Sequence, residues 1–143
     1  MQKVIALLPR EHEGRKIPVI MFTKGGGIWL NDMAQVGADV IAIDWTMRLS
    51  RARKQLLEIK KPLALQGNLD PLILFSEPKQ IAAAASGLLD DLASAPALKS
   101  GLHPLDGHIF NLGHGINQFT PPESVAALSE TVISQSKALR AKQ

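Results

Sequence analysis

Short apolar runs, too brief for helices, alternate along this chain with longer stretches whose apolar residues recur every three or four positions. The first run, Ile17-Pro18-Val19-Ile20-Met21-Phe22, is stopped by Thr23-Lys24-Gly25-Gly26-Gly27. A helix is expected from Ile28 to Val36, with Gly37 where helices often end. Asp39-Val40-Ile41-Ala42-Ile43 reads as a buried strand closed by Asp44-Trp45-Thr46. Between Met47 and Lys61, Leu49, Ala52, Leu56 and Ile59 share one face, which predicts an amphipathic helix with a cationic last turn, broken by Pro62. Leu63-Ala64-Leu65-Gln66 is the third strand and runs into a loop, Gly67-Asn68-Leu69-Asp70-Pro71. Ile81, Ala85, Leu88, Leu89 and Leu92 mark a helix from Pro78 to Ser94. A Pro-, Gly- and Ser-rich loop over Ala95–Gly107 then leads to the fourth strand, His108-Ile109-Phe110-Asn111, followed by Leu112-Gly113-His114-Gly115. Thr120-Pro121-Pro122-Glu123 opens the last helix, with Thr120 as its cap and Glu123 completing a capping box.

The order is a short helical piece around Val4–Leu8 and then four βα units. Strands separated by crossover helices form a parallel sheet, so the class is α/β. Four such units are half of a (β/α)8 barrel, or else a small open doubly wound sheet, and periodicity does not choose between them. No linker divides the chain, and a single domain over residues 1–143 is expected.

Composition narrows the chemistry. Zero cysteines exclude disulfides, thiolate metal sites and thiol nucleophiles. No apolar run approaches the roughly 20 residues that span a bilayer, so a cytoplasmic protein with no membrane partner is expected. Sixteen basic against thirteen acidic residues give a net charge of +3, too mild to assign nucleic acid as partner but suited to an anionic small molecule. Aromatic residues make up 4% and tyrosine is absent, which leaves little for a base-stacking platform.

In parallel βα architectures, sites collect on the loops after the strands. The triple glycine with Lys24 either cradles an anion on backbone N–H groups or is a turn with room for close packing. Asp44 either orients a ligand or bonds a neighbouring loop. Asp70, just before Pro71, reads best as a helix cap. His114 is the leading candidate: flanking glycines let the backbone turn sharply and expose an imidazole able to bind a carboxylate or move a proton. The competing reading is a histidine bonded to a backbone carbonyl. His108 starts its strand at the far end and reads as structural, while His12 and His103 fall in surface connections. No histidines share a helix face at metal-ligand spacing, and no serine lies in a strand-to-helix elbow.

Together, Phe22-Thr23-Lys24-Gly25-Gly26-Gly27, Asp44-Trp45, Ala64-Leu65-Gln66-Gly67-Asn68-Leu69-Asp70-Pro71 and Gly107-His108-Ile109-Phe110-Asn111-Leu112-Gly113-His114-Gly115 resemble uroporphyrinogen decarboxylase, in the right order and spacing. The similarity runs from Lys16 to Ser136 and covers the carboxyl-terminal half of a family chain more than twice this length. The resemblance implies a (β/α)8 barrel, normally a homodimer, that removes the four acetate carboxyls of uroporphyrinogen without metal or organic cofactor. His114 matches the family histidine that lines the substrate pocket, and is expected to bind substrate. The family's arginines, its pyrrole-facing aspartate and its pocket tyrosine and serine lie upstream of the matched region and have no counterpart here. The expectation is a fragment or split form of the decarboxylase that is inactive without an amino-terminal half. The alternative is a non-catalytic half-barrel that associates with itself or binds an anion.

Overall fold

The computed structural model describes residues 1–142. After a short helix α1 (Gln2–Ala6), β1 (Glu11–His12) and β2 (Arg15–Lys16) form a hairpin. The main sheet consists of β3 (Ile20–Phe22), β4 (Val40–Ala42), β5 (Ala64–Leu69) and β6 (His108–Leu112). Between and after these strands come α2 (Leu30–Met33), α3 (Leu49–Glu58), α4 (Pro78–Ala93) and α5 (Pro122–Arg140). The strands lie in chain order, β3-β4-β5-β6, and every pair is parallel. A doubly wound sheet reverses its strand order at a switch point. This sheet never reverses, so it is a segment of a barrel wall.

Side chains alternate across the wall as the pleat requires. Met21, Ile41 and Leu65 point to the helices and join Leu30, Met33, Leu49, Ala52, Leu56, Leu89 and Leu92 in the main core. A second cluster, Leu69, Leu74, Ile81, Ala85 and Leu128, fills the space under α4 and α5. The opposite face presents the register row Phe22, Ala42, Gln66 and Ile109. Its flanks are bare, with Ile20, Phe22 and Ile109 exposed at 46%, 45% and 44%. In a closed barrel this face is the packed interior.

Several boundaries differ from the sequence pattern, each for a local reason. The first strand begins at Ile20, not Ile17, because Pro18 has no N–H and its neighbours bond elsewhere: Ile17 N–H to the Arg10 carbonyl, Val19 N–H to the Asp39 carboxylate. The third strand continues through Gly67-Asn68-Leu69, residues expected in a loop, because they pair with Phe110, Asn111 and Leu112. The helix expected over Ile28–Val36 is a 3-10 turn, Gly26–Trp29, running into the single turn of α2. Lys60 and Lys61 follow the end of α3 at Glu58, so its last turn is not cationic. Thr120 does not cap α5. Pro122 forces Pro121 into extended backbone (ψ 131°), which makes Pro121 the cap residue and leaves the Thr120 hydroxyl buried without a partner. The capping box forms on α4 instead, between Glu77 and Gln80. The hairpin was not foreseen, since its turn uses Glu13 and Gly14 at φ 49° and 73°, and glutamate is an unusual residue for that conformation. The loop before β6 is stapled by the buried Arg53, whose guanidinium donates to the Asp106 carbonyl at 3.2 Å, and by an ion pair between Arg140 and Asp106 at 2.6 Å.

The two faces of the sheet should respond differently to truncation. Leu65→Ala should cost about 2–5 kcal/mol in urea unfolding of dilute protein. Phe22→Ser, on the bare face, should change stability by less than about 0.5 kcal/mol. Equal losses at the two positions would show that the face carrying Phe22 is covered.

Candidate functional site

The loops after the strands meet around one buried carboxylate. Asp44, 1% exposed, accepts from the backbone N–H of Gly25, from Thr46 N–H at 3.1 Å and from the Thr46 hydroxyl at 2.6 Å. Burial pushes its carboxyl upward, but the Thr46 and Gly25 hydrogen bonds, aided by the charge of Lys24, hold it below the usual aspartate range. Asn68, buried at the end of β5, donates to the Asp44 carbonyl at 2.6 Å and to the Met47 carbonyl. Three loops are thereby tied at fixed spacing.

Trp45 stands on this base. Its indole meets His114 edge to face, with ring centroids 4.7 Å apart and planes at 72°. A Cβ on Gly113 would lie 2.7 Å from the Trp45 backbone nitrogen and 2.8 Å from its ring, so Gly113 leaves room for the close approach of Trp45, backbone and indole together. His114 Nδ1 lies 2.7 Å from the Gly115 carbonyl. A carbonyl only accepts, so Nδ1 carries the proton, and Nε2 makes no hydrogen bond among the described residues. The Lys24 ammonium lies over the Trp45 ring, 5.6 Å from its centroid. Beside His114 opens a cleft of about 450 Å³, lined by Phe22, Ala42, Gln66, Asn111 and Ile116 among others. It has an apolar floor on the bare sheet face and polar groups along its rim.

A family model described as "Uroporphyrinogen decarboxylase (URO-D)" matches residues 1–135. The chain belongs to the uroporphyrinogen decarboxylase family. It is 50% identical to the uroporphyrinogen decarboxylase of Cupriavidus metallidurans over 143 residues, 100% of this chain and 36% of that protein. The Burkholderia thailandensis enzyme is also 50% identical, over 98% of this chain and 35% of the relative, and that of Cupriavidus pinatubonensis is 50% identical over 100% and 37%. The chain thus spans just over a third of the length of the curated relatives it matches.

Within this family framework the sequence candidates separate. His114 and Lys24 come together on Trp45. The triple glycine makes no anion nest: Gly25 N–H is bound to Asp44 and Gly26 N–H to the Thr23 carbonyl, while Gly26 and Gly27 pack against Thr23 and Met47. Asp44 bonds a neighbouring loop, and Asp70 caps the turn after β5 by accepting from Leu72 N–H at 2.9 Å. His108 lies at the far end of β6 and donates from Nε2 to the Gly67 carbonyl at 2.8 Å. Burial pushes its pKa down, so it is neutral at pH 7. His12 is exposed on the hairpin, and His103 accepts from Leu105 N–H at 3.0 Å. Among the described residues no cluster of three or more histidine or acidic groups is placed to hold a metal ion. Sequence reasoning gave no role to Trp45 and placed Asn68 in a loop. The signals were a tryptophan directly after a buried strand and an amide directly after a glycine.

Two substitutions test the electrostatics. Asp44→Asn should cost about 1–3 kcal/mol at neutral pH by weakening three donors' bonds. Because the folded carboxyl titrates below its unfolded value of about 3.9, the wild-type advantage persists above that pH and fades as pH falls through the folded pKa. For His108 the folded pKa is lowered, so wild-type stability falls as pH drops below about 6.5, where the unfolded chain takes up the proton. His108→Gln should flatten that arm in pH-dependent urea unfolding. An unchanged slope would mean that His108 is not buried neutral.

Proposed function

We propose that this chain forms the carboxyl-terminal half of a (β/α)8 barrel that converts uroporphyrinogen to coproporphyrinogen, in the cytoplasm, with His114 as a substrate-binding residue. The observation that carries the reading is the unused Nε2 of His114 at the rim of a cleft whose floor is the bare inner face of a barrel wall.

The chemistry suits such a cleft. A protonated pyrrole is an electron sink, so loss of carbon dioxide from its acetate needs a shaped pocket, cations that hold the polyanion and a group that stabilises positive charge on the ring. This half supplies the wall and His114, with Lys24 held over the neighbouring Trp45 ring. The remaining barrel strands would pair with the open edges of β3 and β6, cover Ile20, Phe22 and Ile109, and bring the pyrrole-facing carboxylate. The same exposed edges favour a second reading, in which copies of the chain associate through them and the half-barrel is not catalytic.

The purified chain should show no turnover of uroporphyrinogen, and addition of the remaining part of the Cupriavidus metallidurans enzyme should restore it. Turnover by the chain alone, or none after complementation, would overturn the reading. In the complemented enzyme His114→Ala should lower kcat/KM by about 10- to 150-fold, the equivalent of a charge-assisted hydrogen bond of about 1.5–3 kcal/mol. His114→Gln, whose amide nitrogen reaches the position of Nε2, should recover part of this loss if the role is hydrogen bonding and none if it is proton transfer. His114→Asn replaces only the donor to Gly115 and serves as the control.

A further inference from the structure

We propose that Lys24 binds a substrate carboxylate next to this cleft, and that Trp45, whose indole contacts both the Lys24 ammonium and the cleft-lining His114, is the positioning residue. The proposal rests on reading the cleft as the substrate site and adds to it the source of its fixed charge.

His114 alone is an incomplete carboxylate binder. With its Nδ1 proton committed to the Gly115 carbonyl, the neutral ring offers a lone pair at Nε2 and repels a carboxylate oxygen. It becomes a donor there only when protonated. A permanent cation must come from another loop. Arg48, on the loop after β4, is drawn to Asp91 at 3.8 Å. Lys24, on the loop after β3, makes no ion pair among the described residues. Asp44, on the next loop, is buried and already bound to Gly25 and Thr46.

The Lys24 charge instead rests on the Trp45 face, and the same ring meets His114 at its other contact. The indole therefore restricts an otherwise flexible four-carbon stem and sets the spacing of the two nitrogen groups. Both loops are anchored next to these residues, since Asp44 precedes Trp45 and its bond to Gly25 N–H follows Lys24. An ammonium and an imidazole on the same aromatic ring suit a carboxylate on a flat heterocycle.

The test is a binding titration of the chain with uroporphyrin, the stable oxidised eight-carboxylate ring, followed by the porphyrin absorption band. Lys24→Met should weaken binding about tenfold and reduce its salt dependence, and Lys24→Arg should restore both. In a Trp45→Leu background Lys24→Met should cost nothing further, because the ammonium is no longer held in place. Unfolding midpoints of all variants should stay within the wild-type range. Wild-type affinity in Lys24→Met, with binding still lost in His114→Ala, overturns this proposal and leaves the substrate site standing. Binding insensitive to both substitutions overturns the site as well.

Discussion

A single buried carboxylate fixes the rim of this half-barrel. Asp44 lies at the end of the central strand β4, and its bond to Gly25 spans 19 residues to the neighbouring loop. Remove it and Gly25 N–H, Thr46 N–H and the Thr46 hydroxyl lose their partner together. The Asn68 amide holds the same turn from the third loop by its carbonyls. Trp45 follows Asp44 directly, so the indole inherits this order. His114 and Lys24 both contact this indole. Trp45 and His114 are thus half-buried, and Lys24 exposed, on a support that is hydrogen-bonded and buried, which limits their motion without burying their charges.

The sheet explains why the site opens where it does. One face is closed by helices and forms a core that needs no other partner. The other keeps small residues in the middle of the wall, Ala42 and Ala64, and large apolar residues at its edges, Phe22 and Ile109. In a closed barrel, strand interiors are filled by layers from alternate strands. The half-wall carries its share of those layers, and the row Phe22, Ala42, Gln66, Ile109 has its lower neighbour in Ile20, Val40 and Ala64.

Much of the architecture was legible because strands with both faces apolar and helices with one apolar stripe differ in period. Val40–Ala42 and α4 follow directly from it. The boundaries that moved depend on partners distant in sequence. Gly67-Asn68-Leu69 looks like a loop until β6 lies beside it. Asp44 could not be read from its neighbours alone, since its decisive donor is on another loop. From its neighbours Gly113 reads as a turn residue, whereas the space it leaves is taken by Trp45, 68 residues earlier by number. Local sequence shows which residues are unusual; only the assembled wall shows what they serve.

The histidines make that distinction concrete. His103 accepts at Nδ1 from Leu105 N–H and has Nε2 turned to the Leu139 carbonyl at 3.4 Å, so both nitrogens are engaged in holding a loop to α5. His108 is desolvated against Phe110 and donates to Gly67, and its lowered pKa removes the charge that would make it useful at neutral pH. His114 has one nitrogen anchored and the other unengaged among the described residues, at the mouth of a cleft. Anchoring fixes the tautomer and the ring plane, and the remaining nitrogen can then meet a ligand at small entropic cost. A histidine with both nitrogens satisfied is part of the scaffold, and among the described residues exposed His12 meets only its chain neighbour Glu13, at 3.7 Å. Half-satisfied valence, on an aromatic support that also carries Lys24, is the physical property that sets His114 apart.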